Sequence, residues 1–168
     1  RLLFLDTLGC LIAGLAKPEP AALAASLGAL EPGSVMLPGA TTPLTASSAA
    51  YVAGLAACWD EACEGLPRAH GRPGLHAFAA ALALGLARHH SLDETLCALV
   101  AGFEVAGRLG EYLRIAPGMH VDGTWGTFGA VAAAARAAGS DQVAAHGAGP
   151  GAAVARAGRR GELVLPSL

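Results

Sequence analysis

Pro117-Gly118-Met119-His120-Val121-Asp122-Gly123-Thr124-Trp125-Gly126-Thr127-Phe128-Gly129 leads straight into the alanine-rich run 130–139, and these residues decide what kind of fold the chain can build. A Pro/Gly-punctuated loop carries one histidine and then enters a helix made almost wholly of alanine. Gly123, Gly126 and Gly129 recur every third residue, so on the first turns of a helix they fall on one face. Each glycine costs a helix about 1 kcal/mol relative to alanine. Three of them together imply a very close neighbour. Two neighbours fit: a second helix crossing at short range, with His120 an ordinary loop residue, or a small anionic ligand at the helix N-terminus, where N–H groups and the dipole favour a carboxylate.

The composition agrees with close-packed helices. The 168 residues are 54% hydrophobic, 14% charged and 5% aromatic. That length fits one domain with a real core. A net charge of −2 gives neither a basic field for nucleic acid nor a polybasic membrane anchor. Lys17 is the sole lysine. Cys10, Cys58, Cys63 and Cys97 form no paired framework, and they read as small buried residues of a reducing compartment. A zinc site from Cys58 and Cys63 with nearby histidines is the less favoured alternative, its spacing being loose. Asp6 interrupts the first apolar run, no signal-peptide cleavage site closes it, and later apolar runs break before about 18 residues. The expected location is the cytoplasm.

Read in order, the chain gives helices and no strand of period two. Residues 2–15 are apolar on most faces, which predicts a helix buried on nearly all sides, inside a larger assembly. Pro18 and Pro20 open a second helix, 21–30, and 31–43 is a loop. A third helix starts near Thr45, capped by Thr42 or Thr45, and runs into Cys58-Trp59-Asp60-Glu61. After an irregular stretch, 65–74, a fourth covers 75–90, with His89 and His90 complementing the dipole at its end. Ser91 and Glu94 form a capping box that starts a fifth, 92 to about 114, bearing the pair Glu104/Arg108. The last is 130–138. His76 and Trp125 read as packing residues. From Ser140 the periodicity stops, so the expected division is a helical domain, 1–139, and a low-order tail, 140–168, that a truncated or shifted reading frame would produce. The fold class is all-α, a multi-helix bundle.

Five segments, in order, resemble the MmgE/PrpD family. They are Leu5-Asp6-Thr7-Leu8-Gly9-Cys10-Leu11-Ile12-Ala13-Gly14, Trp59-Asp60-Glu61, Arg72-Pro73-Gly74 with Ala79-Ala80-Ala81-Leu82, Ala101-Gly102-Phe103-Glu104-Val105-Ala106-Gly107-Arg108-Leu109, and Gly118-Met119-His120 through Gly129. The last is similar to that family's His-x-x-Gly-Thr-x-Gly signature. The resemblance spans residues 2–139, which corresponds to the first third or so of a full-length member. It implies the N-terminal part of a helical domain without its α/β lid, a homodimer or other self-association, and no metal or organic cofactor. Members include 2-methylcitrate dehydratase, cis-aconitate decarboxylase and iminodisuccinate epimerase, which move a proton next to a carboxylate of a small di- or tricarboxylate.

Carried over residue by residue, His120 matches the family's active-site histidine. Asp60 and Glu61 match acids after its tryptophan, while the acid before it falls on Cys58. The histidine of His-Pro-Gly falls on Arg72, or on His70 with a different gap. The implied catalytic residues are therefore His120, Asp60 and His70. Arg72, Gly123, Thr124 and Thr127 would bind substrate, Arg72 by gripping a carboxylate bidentately, which it can do without being a base. Residues 123–127 would add backbone N–H groups. The family's later lysines and tyrosine have no counterpart in this sequence. Two outcomes stay open: a lyase or isomerase of which this chain carries part, or a non-catalytic helical remnant or assembly subunit.

Overall fold

The structure is a computed structural model that describes residues 1–120 and 123–139. Six α-helices account for most of them: α1 (Leu2–Leu15), α2 (Pro18–Leu30), α3 (Ala46–Cys58), α4 (Pro73–Ala87), α5 (Leu92–Tyr112) and α6 (Gly126–Ala137). Isolated bridges, Val35 with Leu44 and Leu66 with Gly71, are the β-type pairings among the described residues. The all-α expectation holds. The tail expected over 140–168, and Val121 and Asp122, lie outside the described residues.

Local chemistry sets most helix ends. Pro18 and Pro73 occupy the first positions of α2 and α4, where a missing N–H costs nothing. Thr45, not Thr42, caps α3 by accepting the Ser48 N–H at 3.2 Å. At α5 the capping box is complete: Ser91 Oγ accepts from Glu94 N–H at 3.3 Å and Glu94 returns the bond to Ser91 N–H at 2.8 Å. The Arg108–Glu104 pair forms at 3.1 Å.

α4, α5 and α6 pack as one group, and α1 and α3 join it along the other side of α4. Leu11, Leu37, Leu44, Val52 and Phe78 fill the core among alanines. The Phe4 and Phe78 rings meet at 5.3 Å, inclined by 59°. Where α5 crosses α6, a Cβ on Gly102 would lie 2.6 Å from Gly129 O and 2.7 Å from Ala77 Cβ. The close neighbour expected of Gly129 is thus another helix. The Thr7 hydroxyl, buried on α1, is satisfied by donating to Leu3 O at 2.9 Å.

Within the single chain α1 packs along one side: Phe4, Thr7, Leu11, Gly14 and Leu15 face the core, while Leu2 and Leu5 are 84% and 62% exposed, on the faces that burial inside a larger assembly would cover. Other expectations need correction. α6 starts four residues before Ala130, since Gly126 and Gly129 belong to the helix. α4 ends at Ala87, not His90, because His89 turns into the left-handed region (φ 55°). The N–H groups of His90 and His89 then bond back to Gly85 O and Leu86 O at 2.9 and 3.3 Å. This is a Schellman stop built from backbone rather than from imidazolium charge. None of the four cysteines is fully buried, and Cys97 is exposed on α5.

Candidate active site

Two irregular segments carry the candidate residues: 59–72, between α3 and α4, and 113–125, between α5 and α6. The first is organised around a short hairpin. Leu66 N–H bonds to Gly71 O at 2.9 Å and Ala69 N–H to Leu66 O at 3.0 Å, which buries Ala69 and leaves His70 exposed with φ 51°. Arg72, the N-cap of α4, offers no side-chain cap. Glu64 takes that part from eleven residues away, its Oε1 accepting Leu75 N–H at 3.1 Å. An anion at a helix N-terminus also complements the dipole.

Arg72 is held on two sides. Nη2 donates to Glu61, and Nη1 approaches Cys63 Sγ at 3.7 Å. Glu61 is in the left-handed region, φ 55°. Its carboxylate already occupies part of the guanidinium fork, so a substrate carboxylate on Arg72 must share or displace it. Burial pushes the thiols of Cys58 and Cys63 up, and on Cys63 the Arg72 contact pulls the other way. Both are therefore thiols rather than nucleophilic thiolates at neutral pH. Asp60 pairs with Lys17 at 3.2 Å, both about half exposed. Such a pair contributes little stability, on the order of 0–1 kcal/mol. It does bring the sole lysine beside a candidate acid, which the sequence reading did not foresee.

In the second segment Gly118 has φ 87°, and Met119 N–H closes a turn on Ala116 O at 3.1 Å. His120 follows, exposed. Gly123 is exposed, with only ordinary contact to His120 O at 3.7 Å where a Cβ would stand. Thr124 is half-buried and Thr127 exposed. The N–H groups of Thr127 and Phe128 bond back to Thr124 O and Trp125 O at 3.4 and 3.1 Å, so they serve the first turn of α6.

Trp125 and His76 join the two segments. Trp125, 1% exposed, packs with Ala69 and Ala106 in a small second core. Its indole lies so near α5 that a Cβ on Gly110 would be 2.9 Å from Cε2. On the first turn of α4, the half-buried His76 ring rests on Gly126; a Cβ there would sit 2.4, 2.5 and 2.9 Å from Cδ2, Nε2 and Cγ. The turn bearing His70 and the helix start bearing Arg72 are thus fastened to the end of the segment bearing His120. Trp125 and His76 do pack, as expected. That His76 meets the glycine at the start of α6 had no signal in the sequence, the contact being between two separate helices.

A cleft of about 200 Å³ between the 65–71 turn and α5, lined by Leu66, Arg68, Phe103, Glu104, Arg108 and Tyr112 among others, contains none of the candidate residues. Among the described residues no group of three or more His, Cys, Asp or Glu is placed to hold a metal ion, so the zinc arrangement weighed for Cys58 and Cys63 is not formed there. Nor is any helix among them long and apolar enough to cross a membrane.

No curated protein and no solved structure matches the chain. The family model described as the MmgE/PrpD N-terminal domain matches residues 1–162. With the ordered motifs, the all-α fold and a match over nearly its whole length, the chain belongs to the MmgE/PrpD family, of which it carries the N-terminal domain.

Proposed function

We propose that this domain carries part of a lyase or isomerase site for small di- or tricarboxylates, working by proton removal next to a carboxylate. The observation that supports this most is the fastening of the two irregular segments by Trp125 on Ala69 and His76 on Gly126. That fastening supports reading His120, Arg72 and the start of α6 as parts of one site.

The chemistry needs a base for the C–H proton, cationic or N–H donors for the charge that moves onto the carboxylate, and an acid for the step that follows. In this reading His120 takes the proton and the electron pair passes into the carboxylate as an enolate. Collapse of that enolate expels hydroxide, which takes up a proton and leaves as water, or the enolate regains a proton on its other face. Arg72 would hold a carboxylate once Glu61 yields its place, and Thr124 and Thr127 would meet the opposite end of the acid. Asp60, paired with Lys17, and His70, on its exposed turn, are candidates of the same reading. No metal or organic cofactor is called on. Self-association belongs to the proposal as well, and the apolar edge of α1 at Leu2, Leu5 and Ile12 supports it.

The test is binding of cis-aconitate and 2-methylcitrate to the purified chain, with sedimentation of the same sample. Wild type should bind one of them, and His120→Ala should weaken that binding about tenfold without loss of helix signal. A folded, defined oligomer that neither binds nor consumes such acids would instead identify a non-catalytic assembly domain.

A further inference from the structure

We infer that Glu61 is a built-in competitor for the carboxylate grip of Arg72, one that a ligand with two or more carboxylates displaces and a monocarboxylate does not; the inference rests on the carboxylate-acting reading above. Two adjacent acids, Asp60 and Glu61, follow the end of α3, and each is paired with a cation from another part of the fold. Asp60 meets Lys17 of the α1–α2 turn at 3.2 Å, and Glu61 accepts from Arg72 Nη2 at the start of α4. A glutamate side chain offers a guanidinium the same planar pair of oxygens as the carboxylate of a small acid. Glu61 thus already makes the contact that the proposed ligand needs.

Three observations mark Glu61 as a displaceable occupant rather than a fixed strut. The Arg72 side chain is 23% exposed and that of Glu61 67%, so the carboxylate lies on the solvent side of the guanidinium, where an incoming acid arrives. An ion pair with one partner so exposed is weakly held. Next, Arg72 and Glu61 each have a second mooring. Cys63 Sγ stands 3.7 Å from Arg72 Nη1, and the Asp60–Lys17 pair ties down the residue beside Glu61, so the carboxylate can swing off without unseating either segment. Last, Glu61 stands at φ 55°, its N–H closing a turn on Cys58 O at 3.0 Å. Glycine is what a helix-ending backbone of this kind favours, so what glutamate contributes at this position is its carboxylate. A tethered group competes as though present at roughly millimolar concentration. A monocarboxylate, with one contact to gain, loses that competition; a di- or tricarboxylate adds a second contact and wins it.

The test is isothermal titration calorimetry of the full chain with tricarballylate, an unreactive tricarboxylate, and with butyrate, on wild type, Glu61→Gln, Arg72→Gln and the double variant. Wild type should bind tricarballylate and not butyrate. Glu61→Gln should tighten tricarballylate about tenfold, because the ligand no longer has a charge-assisted bond to break, and should admit butyrate. The gain has to run through Arg72, so in the Arg72→Gln background Glu61→Gln should change nothing. Glu31→Gln, which removes an equal charge from the exposed end of α2, should bind as wild type does. Circular dichroism of each variant separates lost contact from lost fold. Should Arg72→Gln unfold, Glu61→Asp gives the second reading: a carboxylate one methylene shorter should hold Arg72 less well and tighten tricarballylate by a smaller factor. If wild type binds tricarballylate and Glu61→Gln binds it no tighter, Glu61 positions Arg72, and the inference fails while the carboxylate reading stands. An equal gain in Glu31→Gln, or in the Arg72→Gln background, overturns it as an effect of net charge. If neither wild type nor Glu61→Gln binds tricarballylate, the carboxylate reading fails and takes the inference with it.

Discussion

The connection between α4 and α5 and the connection between α3 and α4 solve the same problem by opposite means. Residues 88–91 stop one helix and start the next with their own atoms: a left-handed His89, two backbone bonds back into α4, and a Ser91–Glu94 box. Residues 59–72 close a small turn of their own at 66–71 but depend on longer-range contacts for the rest. Glu64 caps α4 from eleven residues away, Arg72 is fixed by Glu61 and Cys63, Asp60 by Lys17, and Ala69 lies under a tryptophan from the far side of α5. The first connection is set by sequence neighbours and carries no candidate chemistry. The second is set largely by tertiary partners, has two non-glycine residues at positive φ (Glu61 and His70), and carries three of the seven candidate residues, Asp60, His70 and Arg72. Left-handed backbone in such residues costs roughly 1 kcal/mol or more and persists only where the surroundings over-determine it.

The largest effect should come from removing the part that clamps the second connection. Trp125→Ala deletes a side chain that is 1% exposed between Ala69, Ala106 and Gly110, and should cost about 3–5 kcal/mol. Hydrogen exchange should show the amides of Leu66 and Ala69 losing protection with it, while those of His89 and His90 keep theirs until the whole chain opens. Equal loss at both connections would mean that they are not separately held.

The two caps give the next test. Ser91→Ala removes a local cap and should cost about 1 kcal/mol. Glu64→Ala removes a charged, long-range cap of Leu75 N–H and should cost about 1–2 kcal/mol. Denaturant melts of both, with and without Trp125→Ala, separate the mechanisms. The Ser91 cost should add to that of Trp125, whereas the Glu64 cost should shrink once the connection is already loose. Additivity in both cases would show Glu64 acting as a local cap does.

Legibility from sequence followed the same division. Ser91 with Glu94, Thr45 and Pro18 each announce a helix start through chemistry confined to a few residues, and all three were readable, whereas Pro73, the first residue of α4, was read as part of the irregular stretch before a helix at 75. The start of α6 was put at Ala130 because glycine is a poor helix former, although the spacing of Gly126 and Gly129 already suited the first turns of a helix. They are helical since Gly102 and Ala106 of α5, and the His76 ring, come too close for any side chain. No window along the chain contains those neighbours. His120, Asp60 and Arg72 were visible only through ordered motifs, and Glu64, Lys17 and His76 not at all as partners. One signal was there to be used: Arg72-Pro73-Gly74 opens a helix with no capping side chain, so an acid from elsewhere had to meet its N–H groups.

His89 offers a smaller effect, and one of opposite sign. It is exposed at φ 55°, so His89→Gly should relieve the left-handed strain and stabilise the chain by about 0.5–1 kcal/mol in a thermal melt. Leaving the chemistry alone, it should not change tricarballylate binding. A destabilised His89→Gly would mean that the imidazole itself, and not the backbone, holds the end of α4.

The smallest effect is a pH dependence confined to the same connection. The Ser91 N–H and hydroxyl both donate to Glu94 and hold its carboxyl below the ordinary value of 4.5. A folded-state value below the unfolded one means stability that is fully present above about pH 4.5 and is lost as the pH falls through the depressed folded value. Glu94→Gln keeps an acceptor for Ser91 but cannot ionise. Its melting temperature should therefore lie slightly below that of wild type at neutral pH and meet it in acid. The carboxylate is exposed, so added salt should narrow the neutral-pH gap. A gap that stays constant into acid would assign the box to hydrogen-bond geometry alone, with no contribution from charge at the start of α5.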